Sequence, residues 1–141
     1  IFQQTDFFST KFFQTHILDV IFKQIMFKNV NFNNNIIAAT DFLNSFITNT
    51  IFANVVFDHV KFQNVTFKAS QFFSSLFLNV EFSNTRFNVI SFKDSILEGV
   101  IFKDSEFYKV DFTGVNLDKV NFVNPSFCEV KFDWGMDNSG C

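Results

Sequence analysis

Apolar residues fall on this chain at a fixed beat. From Phe2 to Phe132 every fifth position is Phe, Ile or Leu, and Phe52, Phe57, Phe62, Phe67 and Phe72 show the pattern at its plainest. On an α-helix five residues turn through about 500°, so successive members would move around the surface and could not share a core. On an unbroken strand they would alternate between the two faces of a sheet. The period points every member inward only if the chain turns a corner after each short extended segment, so that four corners close a square coil. A second inward position lies two residues before each centre and is small or β-branched at most repeats, as in Thr10, Thr15, Val20, Val30, Ser45, Val55, Val60, Val65, Ser70, Val80, Ser95, Val110 and Val120. Large and small side chains then alternate across a narrow filled bore. Asn35 and Pro125 break that rule and are expected to mark local distortion.

The corners are encoded as well. Two residues after the centre stand Asn29, Asn34, Asn44, Asn49, Asn54, Asn64, Asn79, Asn84 and Asn124, joined by Gly99 and Gly114. These residues tolerate the positive φ of a type II turn. At Val89 and Lys119, which occupy the same position, a turn with negative φ is expected.

Sorting the pentads by fours assigns each to one of four faces. Ile17, Ile37, Phe57, Phe77, Leu97 and Leu117 become the centres of face 4. The outward residues just before them read His16, Ile36, Val56, Leu76, Ile96 and Asn116, and Leu18, Ala38 and Leu78 lie just after. Four apolar rungs about 4.8 Å apart would form an exposed ladder roughly 15 Å long. Stacked apolar residues favour strand pairing in any case, but a contiguous exposed apolar patch also suits a partner or dimer interface. Ile36, Val56, Leu76, Leu78 and Ile96 are therefore the interface candidates. Other outward apolar residues, namely Phe8, Phe13, Leu43, Phe46, Phe73 and Ile101, are scattered and need no special use. At one corner Asn44, Asn64, Asn84, Asp104 and Asn124 form a column that turn propensity and side-chain amide ladders account for. Asn64-Val65-Thr66 within it is an N-x-S/T sequon, which makes Asn64 the glycosylation candidate.

Composition adds exclusions. Phe supplies 26 of 141 residues, as a repeating core requires, and the formal net charge is only −3. Lys61, Lys68, Lys93 and Lys103 alternate with Asp58, Glu81, Asp94 and Asp104, so no block of one sign invites nucleic acid. The longest apolar runs fall far short of the roughly 20 residues that span a bilayer, which argues against direct membrane insertion of this segment. The chain starts in mid-repeat at Ile1-Phe2 without an initiator Met, as expected of a part of something longer. His16 and His59 would lie roughly 10 Å apart in the coil, too far to share a metal. No Cys-x-x-Cys, phosphate loop or nucleophile elbow occurs, and the carboxylates are dispersed, so neither an enzyme nor a cofactor is expected. Cys128 and Cys141 are the two cysteines; they are either a bridge that staples the tail over the last coil or two unrelated thiols.

The 27 uninterrupted pentads resemble the pentapeptide-repeat family over residues 1–134. That resemblance implies an all-β fold, a right-handed quadrilateral parallel β-helix of about seven coils, with 135–141 left as an irregular tail. The common bacterial unit is centred on Leu, whereas FKNVNF, FANVVF and FSNTRF are similar to the luminal domains of the synaptic vesicle glycoprotein 2 family, as is the closing Asn138-Ser139-Gly140-Cys141. This second resemblance implies a luminal or extracellular module of a membrane protein and favours the bridged form of Cys128 and Cys141. Its protein partners would include clostridial neurotoxin receptor-binding domains, which add a strand to an exposed edge. The candidate edges are the first coil, Ile1 to Val20, and the last, Val115 to Trp134. The alternative is a cytoplasmic bacterial protein similar to the DNA-mimicking, gyrase-protecting members, although the dispersed acids fit that poorly. A rod stacking end to end is a third reading, since neither end carries an obvious cap.

Overall fold

Residues 1–141 are all described by a computed structural model, an all-β solenoid of about six turns without a helix. Most strands are three residues long because each is cut off by the next corner. Every pentad pairs in parallel with the one a full turn away, as in Phe2 with Phe22, Ile37 with Phe57 and Phe82 with Phe102. Face 1 carries seven strands, from Phe2–Gln3 to Val120–Val123, and face 4 carries five, from His16–Leu18 to Ile96–Glu98. Faces 2 and 3 merge into one ten-stranded sheet where Thr66–Phe73, Arg86–Ser91 and Glu106–Asp111 run around the shared corner without a break.

The centres fill the bore. Within a column the rings stack, with Phe57 and Phe77 4.6 Å apart and Phe62 and Phe82 4.8 Å apart. Between columns they meet edge to face, as Phe62 and Phe67 do at 5.3 Å and 61°. Both arrangements suit the aromatic quadrupole, and the stacking distance matches the rung spacing, which explains the choice of Phe.

The small inward position has a second duty at the corners. Ser75 Oγ accepts a hydrogen bond from the Val55 amide at 3.2 Å and donates to the Phe52 carbonyl at 3.0 Å, and Ser95 accepts from the Ser75 amide at 3.1 Å. Ser and Thr at this position thus satisfy backbone groups of the coil below, and no buried side-chain polar atom lacks a partner. Asn35 does the same with its amide: Oδ1 accepts from the Thr15 N–H at 2.7 Å and Nδ2 donates to the Phe12 carbonyl at 2.6 Å. The expected distortion lies earlier, where Asn31 Oδ1 accepts from the Asn33 N–H and only isolated bridges replace the face 3 strand.

Corner residues from Gln4 to Glu129 have positive φ, Lys119 alone excepted. The expectation for Lys119 is met, but Val89 has φ 58°. The continuous strand Arg86–Ser91 holds it there through in-register pairing on both sides of the corner. A β-branched residue in this region is strained by about 1 to 2 kcal/mol. Val89→Asn is expected to raise stability by about 1 kcal/mol, read as a higher urea midpoint at unchanged slope.

The two ends differ. At the first coil Phe2 is 45 % exposed, and Phe7 and Phe12 are only partly buried. The last coil is covered at Phe132, contrary to the expectation of two uncapped ends, while Leu117, Phe122 and Phe127 stay partly buried. Trp134 lies flat on Phe132 at 4.6 Å and 6°, adding one ring to the column Phe92, Phe112 and Phe132. The tail expected to be irregular forms a strand, Gly135–Asp137, antiparallel to Val130–Phe132. Beyond it the Gly140 N–H donates to the Phe127 carbonyl at 2.7 Å, and Cys141 is joined to Cys128 by a disulfide with Cα atoms 4.8 Å apart.

Candidate functional site

Face 4 carries the ladder in register. His16 pairs with Ile36, Ile36 with Val56, Val56 with Leu76, and Leu76 with Ile96. The inward neighbours Ile37, Phe57 and Phe77 are fully buried, so the outward row is fixed to a rigid wall. Exposure is uneven: Ile36 is 37 % and Ile96 60 % exposed, while Val56 and Leu76 between them are half-buried by their neighbours above and below. Leu78, two residues past Leu76 on the same outward face, stands between Asp58 and Glu98 and is also half-buried.

Face 4 ends abruptly above Ile96. Asn116, Leu117 and Asp118 should form the next rung, yet they make no strand and Ile96–Glu98 is the edge of its sheet. The Asn116 side chain accepts from the Asp118 N–H at 2.9 Å, and the Val120 N–H donates to the Leu117 carbonyl at 3.1 Å, closing a tight turn. The Gly99 N–H donates to the Lys119 carbonyl, whereas the equivalent Asn79 N–H reaches the residue one earlier in its rung, Glu98. The rung has therefore slipped by one residue, at the only corner without positive φ. A cleft of about 450 Å3 opens there, lined among others by Asp94, Ser95, Ile96, Glu98, Asp118 and Lys119. Lys119 Nζ lies 2.7 Å from Glu98 Oε1, and this hydrogen bond raises the pKa of Lys119.

The remaining candidates lie apart from this face. Asn64 is exposed at its corner and donates through Nδ2 to Asn44 Oδ1 at 3.0 Å, and Asn124 donates likewise to Asp104 at 2.9 Å. The amide column is thus a set of local pairs. His59 Nδ1 sits 2.6 Å from Asp58 Oδ1 on the surface, away from His16. No three His, Cys, Asp or Glu residues converge as a metal site would require. Opposite charges face one another along the coil, as in Arg86 with Glu106 at 3.2 Å and Lys109 with Glu129 at 3.7 Å. No helix is long and apolar enough to cross a membrane.

Of the two candidate edges, the first coil is the open one. At the last, the tail strand and the bridge cover Phe127 and Val130–Phe132. The edge at Ile96–Glu98 and the covering role of Trp134 were not foreseen. Lys119 and Asn116 carry the signal for the former, a corner that resists positive φ after a residue that caps turns.

The fold and its faces define a solenoid of the pentapeptide-repeat type, with short strands, four corners to a turn and a bore filled by the centres. A family model described as pentapeptide repeats matches residues 90–124. Among solved structures, a pentapeptide-repeat protein, Rfr23, from the cyanobacterium Cyanothece aligns over 89 % of this chain and 87 % of its own at 10 % identity, TM-score 0.45. QnrB1, a plasmid-mediated fluoroquinolone resistance protein, aligns over 98 % and 89 % at 10 % identity, TM-score 0.43. HetL, a pentapeptide-repeat protein of Nostoc involved in heterocyst differentiation regulation, aligns over 96 % and 92 % at 6 % identity, TM-score 0.34. No curated protein matches the sequence. Identities this low carry no activity or partner from one chain to another, and none of these comparisons supports the vesicle-glycoprotein resemblance.

Proposed function

We propose that this chain is a non-catalytic protein-binding module that uses face 4 as its contact surface. The observation that carries the reading is the in-register apolar row Ile36, Val56, Leu76 and Ile96 on a wall that cannot rearrange. A rigid surface loses little conformational entropy on binding, so even a modest apolar area yields net affinity. Four rungs at the strand spacing span only about 15 Å, short beside the roughly 800 Å2 per partner of a standard stable interface, which suits a reversible contact. A second copy presenting the same face is the simplest partner. The double substitution Val56→Lys and Leu76→Lys should leave the β circular dichroism intact and weaken self-association. Unchanged sedimentation behaviour across a concentration series would sink the reading.

The Cys128–Cys141 bridge supports an oxidising setting, a vesicle lumen or the extracellular side, and the exposed sequon at Asn64 is compatible with it. In that setting, neurotoxin-like partners that add a strand would have the first coil as their edge, because the last is covered. A bacterial cytoplasmic protein of the gyrase-protecting type is the second reading. It needs a strongly negative face, and the cross-strand pairs of Arg86, Lys109 and Lys119 with acids weigh against one. Head-to-tail stacking into a rod is disfavoured by the covered last coil.

A further inference from the structure

We propose that the cleft at the end of face 4 is a docking site for an extended, lysine- or arginine-bearing segment of a partner protein, which pairs with the free edge of Ile96–Glu98. The proposal deepens the protein-binding reading and shares only Ile96 with the ladder, resting otherwise on the edge backbone and the acids of the cleft. Its first support is the backbone. Ser75 offers its carbonyl to the Ile96 N–H at 2.9 Å and Val55 offers its own to Leu76 at 2.9 Å, but no backbone N–H reaches the carbonyl of Ser95, because Asn116 has been drawn into its own turn. The strand Ile96–Glu98 pairs only with Leu76–Leu78 and has no strand on its other side. A row of backbone groups in this state is the template that added strands use.

The second support is space and charge. The cleft of about 450 Å3 is in the range of peptide and ligand sites. Its acids are Asp94, Glu98 and Asp118, and its one cation, Lys119, is already held by Glu98. Asp94 and Asp118 are left to meet an incoming ammonium or guanidinium group. Ile96, the most exposed rung of the ladder, points outward as Asp118 does and supplies an apolar contact for the aliphatic stem of that cation, while Leu97 lines the cleft beneath the side chain next to it. An extended segment alternating basic and apolar residues matches this order, since successive side chains on a strand point to opposite sides.

The test titrates isotope-labelled protein with the acetylated, amidated hexapeptide Lys-Val-Lys-Val-Lys-Val and follows amide chemical shifts. Saturable changes confined to Ser95–Gly99 and Gly114–Lys119 are expected. The double variant Asp94→Asn, Asp118→Asn should weaken binding by about tenfold, because both substitutions are exposed and remove only charge. A peptide N-methylated at every residue keeps its charge but has no backbone N–H left to donate to the edge, and should not bind. Lys119→Gly supplies the missing positive φ and should close the cleft and weaken binding. The proposal is overturned if the N-methylated peptide binds equally well, if the shifts centre on the first coil, or if no saturation occurs at millimolar peptide. None of these readouts depends on self-association through Val56 and Leu76, so the two readings can fail separately.

Discussion

Phe72→Ala is expected to lower the unfolding free energy by about 3 to 5 kcal/mol, a large part of the about 5 to 15 kcal/mol typical of a whole domain. Phe72 is fully buried, stacked on Phe52 at 4.8 Å and on Phe92 at 5.1 Å, and meets Phe67 and Phe77 edge to face at 5.4 Å. The corners fix the backbone on all four sides, so the walls cannot collapse into the space left by the ring, and the cavity adds to the lost burial. Phe2→Ala removes the same ring from the open end, where Phe2 is already 45 % exposed, and should cost about 1 kcal/mol or less. Urea unfolding of the two variants beside the parent checks the gradient. Equal losses would mean that the bore is not rigid and that the first coil is as firmly packed as the middle.

Removing the bridge with Cys128→Ser and Cys141→Ser should release the tail at a cost of up to about 3 kcal/mol, the scale of loop entropy for a closed ring of this size. The Gly135–Asp137 strand would then be held by its few bonds to Val130–Phe132 and by the Glu129 N–H donating to Asn138 Oδ1 at 2.8 Å. Trp134 is already 75 % exposed, so the reporter is the Gly140 amide, whose hydrogen exchange should speed up once its bond to the Phe127 carbonyl is lost. A freed edge at Val130–Phe132 should also raise self-association. Slow exchange at the Gly140 amide in the double variant would show that the hairpin covers the end without sulfur.

The architecture was legible because period, small inward residues and corner residues all report the same local geometry, and each is repeated too often for one exception to hide it. Ile36, Val56, Leu76 and Ile96 could be placed on one face by counting, since a solenoid converts sequence spacing into spatial register. What counting could not give was the outcome at single corners. Val89 adopts positive φ because the strands pairing on both sides outweigh its local preference, whereas Lys119 keeps to its preference because Asn116 offers the chain another turn. Asn35 breaks the rule by residue type, yet its amide fills the role that Ser and Thr hydroxyls fill elsewhere. The covered end rests on residues outside the repeat, so the beat said nothing about Trp134 or the antiparallel strand.

The square path has a kinetic consequence. Nearly every strand contact joins residues one turn apart, as Phe62 is joined to Phe82, so no step of assembly has to search across the length of the chain. An all-β protein of this kind should fold in the manner of a zipper, each turn templating the next, and faster than sandwiches whose pairings are remote in sequence. The same order suits a ribosome: a coil can settle as soon as it has emerged, well before Cys141 arrives to meet Cys128.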